Sequence, residues 1–354
     1  MDISVTLSQH LKEKPQDESQ LGFGHYFTDH MFLMNYEEGK GWFNPRIVPY
    51  GNFEMDPASM VLHYGQAIFE GTKCYRRADG ELQLFRPEQN LARMTRSAQR
   101  MCMPALDEVT ALEGLKKLVE IEKDWVPHQD GTSLYIRPTM ISLDVHLGVH
   151  ASRTYLFFII LSPVGSYYKD GLKPVGIYVE DEYVRAVRGG TGFTKCAGNY
   201  AASILAGDIA EKKGYSQVLW LDGVEQKYVE EVGSMNMMFV YGDTIVTPAL
   251  NGSILPGITR NSILTLASQL GYKTEEKKLA IADIFEDIKT GKCTEAFGCG
   301  TACVISPVGE LCWKDEKLTI CNGQIGPVSQ KLYDTLVGIQ YGRLEDKNQW
   351  TMRV

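Results

Sequence analysis

Residues 189–203 have the sequence GGTGFTKCAGNYAAS, in which one lysine, Lys195, stands among small residues ahead of a helix-like segment. Burial disfavours the ammonium form of a lysine, so an interior-like setting of this kind favours the neutral amine. A neutral amine is a nucleophile that forms a Schiff base with a carbonyl group. Lys195 is therefore a candidate catalytic residue, although a surface lysine in a glycine-rich loop explains most short matches of this type.

The glycines around Lys195 do not form a nucleotide-binding motif. The loop G-x-x-x-x-G-K-[ST] requires a glycine before the lysine, and Thr194 stands there instead. The dinucleotide motif G-x-G-x-x-G begins at Gly190 and again at Gly298, but Lys195 and Cys303 occupy the final glycine positions. Neither motif supports nucleotide binding.

The composition is typical of an acidic globular protein. The chain has 354 residues, of which 44% are hydrophobic and 23% charged, and its formal net charge is −8. At about 150 residues per domain, this length predicts two domains or one large one. The apolar fraction suits a sizeable core and argues against disorder. We expect no nucleic-acid partner, because neutralising phosphates requires a basic face.

No segment predicts membrane insertion or secretion. The longest apolar run, Tyr155 to Leu161, has seven residues, whereas a spanning helix needs about 20. The first twenty residues contain four acidic side chains and no apolar core of a signal peptide. The eight cysteines are scattered without a CxxC pair, so we expect reduced thiols, no metal site and a cytoplasmic location.

Hydrophobic periodicity and turn residues predict a mixed α/β chain. Residues 1–20 are predicted to be a loose arm with one helical turn. Helices are predicted after Asp56 and at 85–101, 109–126, 202–215 and 259–272. Strands are predicted between 27 and 84 and at 133–142, 154–163, 217–222, 231–248 and 301–309. The Gly-, Tyr- and Lys-rich segment 165–173 is the predicted interdomain linker.

Several separated motifs occur in the order found in branched-chain aminotransferases, which are pyridoxal 5'-phosphate enzymes of fold type IV. They are FTDHMF (27–32), LHYGQAIFEGTKCY (62–75), TKCAGNYAAS (194–203), EVGSMN (231–236), LPGITR (255–260) and GCGTAC (298–303). The chain resembles this family from about Phe23 to the C-terminal YGRLEDKNQW. The resemblance implies a smaller N-terminal α/β domain (1–164) and a larger C-terminal cofactor-binding domain (174–354), with the cofactor in the interdomain cleft.

The resemblance assigns three residues to the pyridoxal ring. Lys195 matches the lysine that holds pyridoxal phosphate covalently and later moves the α-proton of the substrate. Glu231 matches the carboxylate that keeps the ring nitrogen protonated, whereas its neighbour Glu230 fits an exposed strand carboxylate. Tyr200 matches the tyrosine that hydrogen-bonds the phenolate oxygen. Ser234 matches a hydroxyl position, usually Thr, that helps to position Glu231 or the ring.

The cofactor phosphate requires hydrogen-bond donors. LPGIT places Gly257, Ile258 and Thr259 at the start of a predicted helix, where N–H groups and the helix dipole favour an anion. An ordinary Thr N-cap explains the same pattern. The resemblance also implies that Arg93 and Thr301 bind the phosphate. It implies solvated side chains for Arg96 and Arg100 and makes Arg185 a weaker candidate near the phosphate.

The resemblance implies an apolar pocket for the side chains of leucine, isoleucine and valine. One methylene changes binding by only about 1–3 kcal/mol, so one pocket serves all three. Tyr64 and the N–H groups around Thr301 and Ala302 are candidates for the substrate α-carboxylate. Arg137 is a candidate for the second carboxylate of glutamate, and an exposed strand arginine is an equal alternative. The aromatic residues implied in the pocket, each more often a core residue, are Phe27, Tyr64, Phe69, Tyr135 and Tyr167.

The implied reaction transfers the amino group between L-leucine, L-isoleucine or L-valine and 2-oxoglutarate, in branched-chain amino acid biosynthesis or degradation, by a homodimer. The nearest alternative is another fold-type IV enzyme, a D-amino-acid aminotransferase or aminodeoxychorismate lyase. Such an enzyme shares Lys195 and Glu231 but not the LHYGQAIFEG and GCGTAC context. A non-catalytic binding protein is disfavoured because Lys195, Glu231 and Arg93 occur together.

Two positions depart from the family pattern. Some members have a CxxC redox pair that begins at the position of Cys303, and here Ser306 replaces the second cysteine. We therefore expect no disulfide switch through this pair. Met238 stands where an aromatic residue is usual, which we expect to alter packing rather than chemistry.

Overall fold

The structure, a computed structural model, describes residues 1–166 and 171–354. The chain divides into two units. One contains Met1–Lys169, Thr194–Ala197 and Ile339–Val354, and the other contains Asp170–Phe193 and Gly198–Gly338. Within the described residues, each unit has its own nine-stranded sheet. The predicted linker at 165–173 lies partly outside the described residues.

The strands and helices are numbered in chain order. The strands are β1 (Ser4–Val5), β2 (His30–Glu37), β3 (Gly41–Pro49), β4 (Ala67–Phe69), β5 (Thr72–Arg76), β6 (Leu82–Phe85), β7 (Ser133–Ser142), β8 (Thr154–Val164), β9 (Val175–Glu180), β10 (Gln217–Leu221), β11 (Val229–Val232), β12 (Met235–Tyr241), β13 (Thr244–Pro248), β14 (Lys273–Lys277), β15 (Glu295–Gly300), β16 (Val304–Trp313), β17 (Glu316–Thr319) and β18 (Thr351–Arg353). The helices are α1 (Met60–Tyr64), α2 (Pro87–Arg100), α3 (Glu108–Ile121), α4 (Ala197–Ala201), α5 (Ile204–Lys212), α6 (Ile258–Gln269), α7 (Ile281–Lys289) and α8 (Pro327–Gln340). None of the helices in the described ranges is long and apolar enough to cross a membrane.

The sheet of the first unit has the order β1-β3-β2-β8-β7-β5-β6-β18, with β4 beside β7. Successive side chains of a strand point to opposite faces, and β2 shows this alternation. Phe32 and Met34 lie in the main core, whereas Met31 and Leu33 belong to a smaller cluster. The main core also contains apolar side chains of α2 and α3, so these helices cover one face of the sheet.

The two helices predicted before residue 127 are confirmed, with shifted ends. Helix α2 begins at Pro87 because Arg86 has a left-handed backbone conformation, with φ of 51°. Helix α3 begins after Asp107, whose side chain accepts a hydrogen bond from Thr110 N–H. It ends at Ile121 rather than 126, because Lys123–Trp125 forms a separate 3₁₀ turn.

Two segments group differently from the predicted domains 1–164 and 174–354. Thr194–Ala197 joins the first unit, where Cys196 forms a β-bridge with Ile68. Ile339–Val354 also joins it, because β18 pairs with β6. With these segments the first unit is the larger of the two. Both differences arise from strand pairing between residues far apart in the chain, which local sequence patterns do not encode.

The strands of the second unit follow the order β11-β10-β9-β16-β15-β12-β13-β14, with β17 beside β16. Additional pairing of β11 with β12 closes part of this path into a ring. The predicted strand region 231–248 contains most of β11 and all of β12 and β13. The predicted strand at 301–309 is wrong at its start, because residues 301–303 form the turn between β15 and β16.

Candidate active site

Lys195 lies in the short segment that crosses into the first unit, and its main chain is held on two sides. Its N–H donates a hydrogen bond of 3.1 Å to Ser97 Oγ of α2. Its carbonyl accepts one of 3.0 Å from the N–H of Phe69, at the end of β4. The next residue, Cys196, forms the β-bridge with Ile68. The position of Lys195 is therefore fixed by a strand and a helix of the same unit.

The environment of Lys195 favours the neutral amine. Burial of the amine is the main cause that lowers its pKa from 10.5 to about 8, and the guanidinium groups of Arg93 and Arg137 act in the same direction. Glu70 and Tyr135 oppose this effect and raise the pKa. A pKa near 8 leaves a substantial neutral fraction at physiological pH, as a nucleophile or general base requires.

Arg93 forms a buried ion pair with Glu70. Arg93 Nε donates to Glu70 Oε1 at 2.7 Å, and Arg93 Nη2 donates to Glu70 Oε2 at 2.8 Å. Burial alone raises the pKa of Glu70, but the charge and hydrogen bonds of Arg93 outweigh it, with help from Lys195 and Asn90, so the net pKa is lowered. Glu70 is therefore a carboxylate inside the unit. The predicted phosphate ligand Arg93 thus has a protein partner already.

The aromatic residues predicted in the pocket divide into two groups. The Phe69 ring lies 5.1 Å from Lys195 Nζ and 4.7 Å from the guanidinium carbon of Arg137. Arg137 Nη2 also donates to the Tyr135 hydroxyl at 3.0 Å. Gly71 is required here, because a Cβ atom at this position would collide with the Tyr135 hydroxyl. Phe69, Tyr135, Arg137 and Lys195 therefore form one group.

The other predicted aromatic residues contact different parts of the unit. Phe27 stacks on Tyr50 with 5.3 Å between ring centroids. Tyr64 is 41% exposed, and its hydroxyl donates to the carbonyl of Leu147. Tyr167 lies outside the described residues.

In the second unit, Glu231 is a buried carboxylate with two partners. Its Oε1 accepts a hydrogen bond of 2.6 Å from Leu255 N–H, and its Oε2 pairs with Arg185 Nε at 3.1 Å. The expectation that Glu230 is exposed is wrong. Glu230 is 3% exposed and accepts a hydrogen bond of 2.9 Å from Asn251. Every residue of β11 is buried, so alternation along this strand does not separate an inner from an outer face.

The remaining predicted residues lie at turns and helix ends. Gly257 caps α6, and a Cβ atom there would collide with Asn236 Oδ1, whose amide group donates to Leu255 O at 2.9 Å. Ile258 and Thr259 form the first turn of this twelve-residue helix. The other positions are the β15–β16 turn for Thr301 and Ala302, the exposed tip of the β11–β12 hairpin for Ser234, and half-buried α4 for Tyr200.

A family model described as amino-transferase class IV matches residues 67–311. The chain belongs to the class IV amino-transferase family. The chain is 57% identical over 352 residues to "Branched-chain-amino-acid aminotransferase 2" of Bacillus subtilis (strain 168), which covers 99% of this chain and 97% of the relative. It is 47% identical over 338 residues to the branched-chain-amino-acid aminotransferase of Mycolicibacterium smegmatis, covering 94% and 92%.

Solved structures of class IV amino-transferases have the same fold. The branched-chain amino acid aminotransferase of Escherichia coli matches with a TM-score of 0.77 and 27% identity, over 91% of this chain and 98% of that chain. The T.th. branched-chain amino acid aminotransferase with pyridoxamine 5'-phosphate matches with a TM-score of 0.75 and 25% identity, over 90% and 97%. These matches confirm the predicted fold type IV and mixed α/β class.

Three polar residues of this class IV amino-transferase were not predicted from its sequence. Glu70, Asn90 and Ser97 are buried around Arg93 and the main chain of Lys195. Positions 90, 93 and 97 share one face of a helix, because residues three and four apart are neighbours. Three polar residues at this spacing, opposite exposed Arg96 and Arg100, are the signal that would have found this buried polar face.

Proposed function

We propose that this class IV amino-transferase is a branched-chain aminotransferase that uses pyridoxal 5'-phosphate. It transfers the amino group between L-leucine, L-isoleucine or L-valine and 2-oxoglutarate. The identity of 57% over nearly the whole chain to an enzyme of that name carries this conclusion. A D-amino-acid aminotransferase or aminodeoxychorismate lyase is not favoured.

The donors present fit pyridoxal phosphate. The amine of Lys195, with a pKa near 8, suits covalent attachment of an aldehyde. Glu231 is a carboxylate with fixed orientation, as a partner for a protonated ring nitrogen requires. The N-terminus of α6 offers N–H groups and the Thr259 hydroxyl to a phosphate. When bound, the cofactor supplies an electron sink for the charge that develops at the substrate α-carbon.

Each of these residues has a distinct task in the proposed reaction. Lys195 Nζ binds the cofactor and, once released, takes the α-proton of the amino acid. Glu231 holds the proton at the ring nitrogen, and Tyr200 donates to the phenolate oxygen. Ser234 helps to position Glu231. The residues that we propose to bind the phosphate are Arg93, Ile258, Thr259 and Thr301.

The proposed substrate pocket begins at the group around Lys195. Phe69 and Tyr135 supply apolar surface close to the amine, and Arg137 supplies a cation held against both rings. This cation suits the second carboxylate of glutamate. The further residues that we propose to contact substrate are Phe27, Tyr64, Tyr167, Thr301 and Ala302.

A test of the function compares L- and D-substrates. Purified enzyme should show the absorbance of a bound pyridoxal cofactor, and L-leucine should shift that absorbance while D-alanine should not. With L-leucine and 2-oxoglutarate, glutamate should accumulate. A response to D-alanine but not to L-leucine would reject the branched-chain activity, and absence of any cofactor absorbance would reject the class of reaction.

We also propose that the enzyme is a cytoplasmic homodimer. An apolar surface supports the dimer: Leu62, Val145, Leu147 and Val149 are each at least 60% exposed. The segments that carry them are adjacent, because Ser59 forms a β-bridge with Val145. Apolar surface of this kind on a globular protein indicates an interaction site, and closed homodimers are the commonest assemblies.

Light scattering tests the dimer. The parent should have twice the chain mass of 39.7 kDa. Val149→Asp should release monomers, because an exposed charge would be buried without a partner. Val224→Asp is the matched control, since Val224 is 82% exposed in the other unit. A monomeric parent, or equal dissociation in both variants, would reject this surface.

A further inference from the structure

Glu70 is an unusually well-satisfied buried carboxylate. It follows β4, is 0% exposed and accepts four hydrogen bonds. Two come from Arg93, one of 2.9 Å from Asn90 Nδ2, and one of 3.2 Å from Gly71 N–H. A buried ion pair contributes little net stability, because the cost of desolvation offsets the attraction. Stability alone is therefore a weak reason for placing Glu70 and Arg93 in the interior.

The elements that carry Glu70 and Arg93 are the same elements that hold Lys195. Phe69, directly before Glu70, donates to the Lys195 carbonyl, and its ring lies 5.1 Å from Lys195 Nζ. Ser97, one helical turn beyond Arg93, accepts from the Lys195 N–H. The Glu70–Arg93 pair thus joins the end of β4 to α2, and Lys195 is bonded to both.

Glu70 also balances the charges around the amine. The groups that act on Lys195 are the cations Arg93 and Arg137, the phenol Tyr135 and the carboxylate Glu70. Both cations disfavour a protonated amine, whereas Glu70 favours it. Loss of the Glu70 charge would leave two guanidinium groups facing the amine, and like charges disfavour the charged form.

We propose that Glu70 is a positioning residue that orients the Arg93 guanidinium and tunes the proton affinity of the Lys195 amine. Glu70 acts through these two side chains and takes no part in proton transfer itself. The roles of Arg93 and Lys195 rest on the proposed function. The charge effect on Lys195 does not, because it is a property of the protein without cofactor.

The test measures the titration of Lys195 in the apoenzyme. Competitive labelling with acetic anhydride over a range of pH, quantified for each lysine by mass spectrometry, gives the midpoint for Lys195 without cofactor or substrate. In Glu70→Gln the midpoint should fall by about one pH unit. Glu70→Asp keeps the charge and should restore the midpoint. Glu88→Gln removes an exposed carboxylate from helix α2, which also carries Arg93, and is the matched control.

Two further variants keep the test decisive if Glu70→Gln does not fold. Arg93→Gln should raise the midpoint, because it removes a cation and leaves the Glu70 charge. Glu70→Gln combined with Arg93→Gln replaces both partners of the pair, which is better tolerated than loss of one. Its midpoint should lie below that of Arg93→Gln alone.

Equilibrium dialysis of pyridoxal phosphate tests the second role. Glu70→Gln should raise the dissociation constant at least about tenfold if Arg93 is no longer oriented, and Glu70→Asp should recover part of that loss. Equal Lys195 midpoints in the parent, Glu70→Gln and the paired variants would overturn the proposal, even if thermal stability fell. A parent enzyme that binds no pyridoxal phosphate would instead overturn the proposed function and leave the labelling result standing.

Discussion

The amide N–H of Lys195 donates a hydrogen bond of 3.1 Å to Ser97 Oγ. With the bond from Phe69 to the Lys195 carbonyl, it fixes the main chain of the lysine independently of its side chain. The local fold around position 195 therefore does not depend on the amine. Side-chain substitutions at Lys195 separate the chemistry of the amine from the structure that presents it.

Lys195→Ala should abolish transamination and leave the fold intact. The rate should fall by at least about 10²-fold, the low end of the contribution of a general acid or base. The circular dichroism spectrum should match that of the parent. Ordinary turnover of L-leucine with 2-oxoglutarate in this variant, with unchanged cofactor absorbance, would falsify the proposed mechanism.

Lys195→Met should stabilise the apoenzyme at neutral pH. The folded pKa is lowered to about 8 from 10.5, so the parent is fully stable only above 10.5 and loses stability as the pH falls toward 8. At one pKa unit per about 1.4 kcal/mol, the loss is at most about 3 kcal/mol. Urea unfolding at pH 7 and pH 10.5 measures it. The advantage of Lys195→Met should shrink as the pH rises, and a constant difference would contradict the lowered pKa.

Glu231→Gln should keep the cofactor but slow the half-reaction with L-leucine. The neutral amide no longer favours the protonated ring nitrogen, and one pKa unit corresponds to about a tenfold change. Stopped-flow absorbance measures the rate. Glu230→Gln is the matched control, because Glu230 is equally buried at 3% and bonds Asn251 and Ser253. Equal effects in both variants would show that Glu231 has only a structural role.

The helices and the strand before the linker could be predicted because their signals are local. Residues 133–142 form β7 as predicted, and Pro87 marks the start of α2. The burial of Glu70 could not be predicted, because one carboxylate in a motif does not reveal that Arg93, 23 positions later, folds onto it. The burial of Glu230 was missed because alternation assumes a strand with one solvent face, whereas β11 is buried throughout.

Reversible inactivation by mild peroxide should be small. None of the eight cysteines, all in the described ranges, is in a disulfide, and Cys303 is 3% exposed with its sulfur 3.1 Å from Met235 Sδ. Ser306 cannot act as a resolving thiol. Burial raises the pKa of Cys299, the nearest cysteine in sequence, and a protonated thiol does not attack an oxidised sulfur.

Oxidation should instead occur at Cys102, which is the exposed cysteine. Peptide mass spectrometry after peroxide should find oxidised Cys102 and unmodified Cys303, because oxidation follows exposure and thiolate character. Cys102→Ser should remove that oxidation, whereas Cys303→Ser should leave the peroxide response of the activity nearly unchanged. A large loss of activity that dithiothreitol restores, and that Cys303→Ser prevents, would mean that another cysteine resolves Cys303 despite its burial.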